Sequence, residues 1–169
     1  GGPSMIMPGG LNHWFWIGTN NQKKLRLSFN HWNYWGSENF NRAKGYNFNI
    51  TYRPFDALNV SLSPSISYND DELQYVTTNE FEGENRYILG LIDQSTYSMR
   101  IRLNYSIKPN LSIQYYGQPF ISKGEYSNFK RATNPSAGEI SNRFHQFNGE
   151  EISYNSENSQ YQIEENKDG

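Results

Sequence analysis

The sequence predicts an all-β fold: an antiparallel up-and-down transmembrane β-barrel, present as a segment of a larger barrel, with about eight strands and alternating short turns and long loops. Three observations predict it. Apolar and polar residues alternate over windows longer than soluble strands use, proline-containing tight turns separate some of those windows, and the apolar faces carry no charge.

Taken in order, the first candidate strand covers about residues 12 to 18 and holds the longest clear apolar run, Trp14-Phe15-Trp16-Ile17. The second covers about 23 to 35, where Leu25, Leu27 and Phe29 alternate with Arg26, Ser28 and Asn30. A third sets Tyr46, Phe48, Ile50 and Tyr52 against Asn47, Asn49, Thr51 and Arg53. A fourth sets Leu58, Val60, Leu62, Pro64, Ile66 and Tyr68 against Asn59, four serines and Asn69. Less regular candidates follow at 73 to 81 and 86 to 92. Tyr97, Met99, Ile101, Leu103, Tyr105 and Ile107 then alternate with Ser98, Arg100, Arg102, Asn104 and Ser106, and Leu111 to Ile121 makes the last strand. The strong windows match the roughly 9 to 11 residues that cross a bilayer at a tilt, where soluble strands average about 5 to 6.

Connections differ in length. Arg53-Pro54-Phe55-Asp56-Ala57 and Lys108-Pro109-Asn110 read as tight turns, because proline fixes φ and Asp or Asn tolerates turn geometry. Gly36 to Lys44 and Asn69 to Leu73 read as polar loops. The two turns belong to a weak repeat of alternating strand, proline turn and Leu-led strand, and each second strand carries a proline, Pro64 or Pro119, where a kink is expected. Residues 1 to 121 thus hold the barrel strands. Residues 122 to 169 read as a long polar loop with a short hairpin around Glu151 to Tyr154 and Gln160 to Ile163. The termini, GGPSMIMPGG and EENKDG, read as those of a fragment of a longer chain.

Alternation alone fits a soluble β-sandwich equally well, since a solvated sheet also has one wet face. Three features favour the barrel. Arg53, Arg100 and Arg102, with Gln114, fall on the polar, lumen-facing parity. Tyr46, Tyr52, Tyr68, Tyr97 and Tyr105 fall near strand ends, as an aromatic girdle does. The polar faces are Ser, Asn, Thr and Gln rather than Lys and Glu. The inner arginines would either bias a lumen toward anions or pair with acids on neighbouring strands, and the pairing is the expectation here.

Composition excludes several classes. Lys plus Arg (15) nearly balances Asp plus Glu (17), so nothing calls for nucleic acid, and the absence of cysteine removes disulfides and thiolate sites. A mean hydropathy of −0.87 beside a 16% aromatic share means that the apolar material is concentrated in rings. His13, His31 and His145 are scattered, no nucleophile elbow, phosphate loop or dinucleotide motif occurs, and the carboxylates Asp70-Asp71-Glu72 and Glu150-Glu151 sit in polar loops where solvation is their expected role. No catalytic residue and no cofactor is expected. Glu164, Asn166 and Asp168 weakly resemble the first half of a calcium loop, without the later bidentate acid, so no metal is assigned.

Several segments together resemble a known family: WFWIGTN, LSLSPSISYNDDELQYVT, YILGLIDQST and IKPNLSIQYYGQPFISKGEYSNFK, with the glycine-rich start. They are similar to the C-terminal outer-membrane β-barrel domain, of uncharacterised function, of Gram-negative proteins that carry an N-terminal family-9-like carbohydrate-binding domain. The resemblance implies an outer-membrane location, lipid as the main partner with other envelope proteins or glycans, and a role as membrane anchor or conduit of a larger, glycan-related envelope protein. The alternatives are a soluble β-sandwich carbohydrate-binding module, with Trp14, Trp16, Trp32 and Trp35 stacking on sugars, or the non-catalytic part of an envelope hydrolase.

Overall fold

The computed structural model describes residues 4–164 and is all-β and antiparallel. Its strands are β1 (Gly10–Gly18), β2 (Leu25–Gly36), β3 (Asn41–Phe55), β4 (Leu58–Phe81), β5 (Glu84–Lys108), β6 (Leu111–Gly117), β7 (Phe120–Ala132), β8 (Phe144–Gln146), β9 (Ile152–Asn155) and β10 (Gln160–Ile163), with two short 3-10 turns. Eight strands form one sheet in the order β1-β2-β3-β4-β5-β7-β8, with β6 also on β5, and β9 pairs β10 in a separate hairpin. Neighbours in the sheet are neighbours in sequence, except that β5 carries both β6 and β7 along its length, which keeps the up-and-down order.

The strands run longer than their sequence windows, and three expected connections change. Asn69 to Leu73 is not a loop: it lies inside β4, whose alternation continues through Asp70 and Glu72. The windows at 86 to 92 and 97 to 107 fuse into the 25-residue β5. The loop expected over Gly36 to Lys44 shrinks to 37–40, because β3 already pairs at Asn41 and Arg42. Polar residues alone suggest a loop, yet a polar strand is stable where both neighbours complete its backbone hydrogen bonds. Between β4 and β5 stand Glu82 and Gly83 alone, with φ of 53° and 83°, the left-handed pair that a two-residue hairpin turn requires.

The prolines act differently from one another. The β3–β4 ladder steps from Asn47↔Ser65 to Ile50↔Leu62, passing over Pro64, which has no N–H to give, but the strand continues. Pro119 ends the β6 pairing, and its carbonyl accepts from Met99 N (3.0 Å). Beyond it β7 extends to Ala132, past the boundary at 122 where the sequence turns polar. The hairpin expected further on is present as β9 and β10.

Chain contacts define two compact units. Among the described residues, one comprises 4–7, 72–92 and 126–164, and the other 8–71 and 93–125. We call them the cored unit and the banded unit. In the cored unit Ile88, Phe129 and Phe147 are buried together, with Ile152 and Ile163 of the hairpin packed against them. Every buried large hydrophobic side chain among the described residues lies in this unit: Leu73, Ile88, Leu89, Ile92, Phe129 and Phe147. In the banded unit all strands belong to the one sheet, so the two-layer sandwich that alternation also allowed has no second sheet there.

Candidate functional site

The banded unit segregates its side chains by parity, and the register shows that the parities of successive strands agree. Leu25, Leu27 and Phe29 of β2 stand opposite Tyr52, Ile50 and Phe48 of β3. Tyr46, Ile50 and Tyr52 in turn face Ile66, Leu62 and Val60 of β4, while Leu103 and Tyr105 of β5 face Tyr115 and Ile113 of β6. These residues form one continuous apolar face. The rings of Phe15, Phe29, His31 and Tyr46 touch along it, with His31 stacked on Tyr46 at 4.7 Å.

The tyrosines of that face fall at two levels. Tyr52 and Tyr105 lie beside the tight turns, where Phe55 meets Tyr105 edge-on at 6.5 Å. Tyr46, Tyr68 and Tyr97 lie together at the other level, close enough for their hydroxyls to interact. Tyr46 and Tyr52 are six positions apart, and Tyr97 and Tyr105 are eight. At about 3.3 Å per residue the levels are about 20 to 26 Å apart along the strands. Between them stand Phe48, Ile50, Val60, Leu62, Ile66, Met99, Ile101 and Leu103, with no charge. Charges return on the same parity just outside: Lys44, whose ammonium lies 5.2 Å from the Tyr68 ring centre, then Asp70 and Asp93.

The opposite face carries Asn, Ser, Thr and four arginines: Arg26, Arg53, Arg100 and Arg102. Gln114 lies on it too, opposite Asn104. This face is concave, since Trp16 of β1 and Arg102 of β5 line one cavity of about 290 Å³ together with residues of β2, β3 and β4. The expected pairing of its arginines with acids across strands is not found among the described residues. Arg53 instead pairs with Asp56 within its own turn (3.2 Å), and the Arg102 guanidinium lies 5.2 Å from the Tyr116 ring centre. The reason is that strand positions 59–69 and 94–106 place Ser, Asn, Thr and Gln, and no carboxylate, on this parity.

Glycines on the concave face make room for rings. A Cβ at Gly45 would collide with the Trp32 indole across the ladder, and one at Gly18 with the Trp16 indole. Both tryptophans therefore lie flat against backbone that has no side chain of its own. Trp14 and Trp16 share this face, whereas their sequence neighbours Phe15 and Ile17 point to the apolar one, so the apolar run of β1 is split between two environments.

The polar clusters of the cored unit are structural ties. Arg143, buried, donates to the carbonyls of Ala137 (2.7 Å), Gly138 (2.9 Å) and Ile6 (2.6 Å), which anchors the early chain to the late loop. Buried Lys130 pairs with Glu72 at 2.6 Å, so one member of the acidic triplet is held rather than solvated. Glu151 accepts from Asn148 N (2.9 Å) and bonds His145 Nε2 (2.8 Å), and these two contacts hold its carboxyl below the ordinary range. No group of three or more metal-binding side chains occurs among the described residues. His13 and His31 approach to 6.3 Å on the apolar face, inside the aromatic cluster, while His145 belongs to the other unit. Of the calcium-loop resemblance, Asn166 and Asp168 lie outside the described residues, and Glu164 is exposed, with its N–H on Glu151 O (2.8 Å).

A family model described as a domain of unknown function, DUF5916, matches residues 2–164. The chain belongs to the DUF5916 family. No curated protein and no solved structure matches it. For a DUF5916 chain the candidate site is therefore defined by its own geometry: an uncharged apolar band on one sheet face and an arginine-bearing concavity on the other.

Proposed function

We propose that this DUF5916 chain is an outer-membrane β-barrel segment, with the apolar face of its banded unit toward lipid and the arginine face toward the barrel interior. It serves as the membrane anchor or conduit of a larger envelope protein of a Gram-negative bacterium, one that handles glycans, and is not itself catalytic.

The observation that carries this reading is the band. Its residues are apolar yet uncovered: Leu25, Tyr52 and Ile113 are each 49% exposed, and Ile121 is 74% exposed. An apolar face this continuous is unfavourable in water and favourable against hydrocarbon. With the tilt of about 35–45° usual for barrel strands, the tyrosine levels stand about 15 to 20 Å apart along the membrane normal, within the apolar band of about 25 Å that such barrels present. Tyrosine at both edges and charge only beyond them is the order that a bilayer imposes on side chains.

The test is fractionation of cells that express the chain, followed by extraction. The expected result is recovery with the outer membrane, resistance to alkaline carbonate, and release as a folded species only by detergent. Recovery as a folded monomer in plain buffer overturns the proposal.

A further inference from the structure

We propose that the concave face of the banded unit holds a binding site for an anionic sugar, with Arg26 and Arg102 taking the charge and the Trp16 indole stacking on the ring. The proposal goes beyond membrane anchoring and stands on the register of the sheet. Arg26 is opposite Thr51, and Thr51 is opposite Ser61. Ser106 N donates to Ala57 O (2.8 Å), and the Ser65 and Ser98 hydroxyls share a 2.7 Å hydrogen bond; both contacts put Ser61 opposite Arg102. Arg26, Thr51, Ser61 and Arg102 therefore form one row across four strands. The arginines begin three strand spacings apart, about 14 Å along the sheet, and the concavity brings them to one cavity of about 290 Å³.

Three properties of that cavity select the ligand. First, its charge is uncompensated. Among the described residues no carboxylate lies on this face at strand positions 26–34, 43–53, 59–69 or 94–106, the nearest along β4 being Asp71 beyond that stretch, and a recessed row of guanidiniums concentrates positive potential. A carboxylate or phosphate can accept two parallel N–H bonds from one guanidinium, which a neutral group does less well. Second, the floor is hydroxyl and amide. Thr51, Ser61, Asn49 and Asn104 suit ligand hydroxyls, and the amide oxygen of Asn59, in the same wall, has no hydrogen-bond partner. Third, Trp16 lies flat over Gly18 and so offers the cavity a planar apolar surface, the complement of the C–H face of a pyranose. An inorganic anion uses only the first property, and a neutral sugar only the other two.

The experiment titrates the full chain in detergent micelles with glucuronate, glucose 6-phosphate, glucose and inorganic phosphate, following tryptophan fluorescence and heat. Both anionic sugars are expected to bind about tenfold or more tightly than glucose and than phosphate, with affinity falling several-fold as salt rises from about 50 to 200 mM. Arg26→Gln and Arg102→Gln are each expected to weaken anionic-sugar binding about tenfold. Lys123→Gln, exposed and paired with Glu125 at 2.6 Å away from this cavity, should leave it unchanged. Equal affinity for glucose and glucuronate, equal affinity for phosphate and glucose 6-phosphate, or equal loss in Lys123→Gln and Arg102→Gln overturns the proposal. If the glutamine variants do not fold, the salt dependence and ligand ranking of the unaltered chain decide it. Membrane location is read by extraction and ligand binding by titration, so the two proposals fail separately.

Discussion

The cored and banded units share three strands, β4, β5 and β7, yet they dispose of apolar surface in opposite ways. In the cored unit Phe129 is 8% exposed and packs on Ile88 and Phe147, as a protein interior in water does. In the banded unit Phe48 is 38% exposed and Tyr52 49%, although they sit in an equally regular ladder. The difference teaches that strand pairing makes the ladder independently of how the faces are covered; under the proposed membrane location hydrocarbon would cover the band as the core covers Phe129.

Replacement of Phe129 by alanine should give the largest effect, because it removes a buried ring from a small core with few neighbours able to fill the space. A loss of about 3–5 kcal/mol is expected for the cored unit. Phe48→Ala, in the band, should cost less than half as much in micelles, because surrounding hydrocarbon fills the vacated volume. Urea unfolding of the two variants in detergent checks the contrast. Equal losses would show that both phenylalanines face the same kind of surroundings, which would break the comparison.

Charge insertion sharpens it further. Leu62 lies midway between the tyrosine levels on the apolar face, so Leu62→Arg should cost about 2–4 kcal/mol in a lipid vesicle. Ser65→Arg, at an odd position on the opposite face, should cost about 1 kcal/mol, mainly the lost hydroxyl bond to Ser98. Reversal of that ranking in vesicle unfolding would interchange the faces. A smaller effect is expected at Arg143, whose replacement by alanine leaves three carbonyls of the cored unit without their shared donor. About 1–3 kcal/mol should be lost, with faster amide exchange at 135–143 and none at Ile50 or Leu103.

Much of the fold was legible because alternation is a local signal. The parity of Tyr46 to Tyr52 and of Ile101 to Ser106 survives unchanged into the ladder, the register shifts only between Ser106 and Lys108, and Pro109 and Asn110 stand between β5 and β6 as the expected turn suggests. What stayed hidden was non-local. Polar stretches such as Asn69 to Leu73 read as loops because the neighbours that complete their hydrogen bonds, such as Asn41 and Arg42, lie far away in sequence. The arginine row was hidden for the same reason: Arg26 and Arg102 are 76 positions apart, and only the summed register of three ladders aligns them. Arg53, Arg100 and Gln114 show their face by parity alone, but parity cannot tell that the first pairs with Asp56 or that Arg102, and not Arg100, shares a row with Arg26. The ties of Arg143 had no sequence signal, since its partners are backbone carbonyls.

The smallest effect separates the units by pH. Glu151 is held below the ordinary carboxylate range first by the Asn148 N–H and then by His145, and it belongs to the cored unit. A depressed folded-state value means that the ionised form is favoured by folding. Its contribution is therefore complete above the unfolded glutamate value of 4.5 and is lost as pH falls through the lower folded value. Acidification below that point should loosen the loop from Asn148 to Ile152, where Glu151 N and Ile152 N also donate to Asn148 O, and leave the apolar band unchanged. Carboxyl NMR should place Glu151 below the ordinary glutamate range, and Glu151→Gln should flatten the acid dependence of cored-unit stability. A Glu151 that titrates at or above the ordinary value would mean that the Asn148 and His145 contacts stabilise the neutral acid equally well, and the acid dependence assigned to this loop would be refuted.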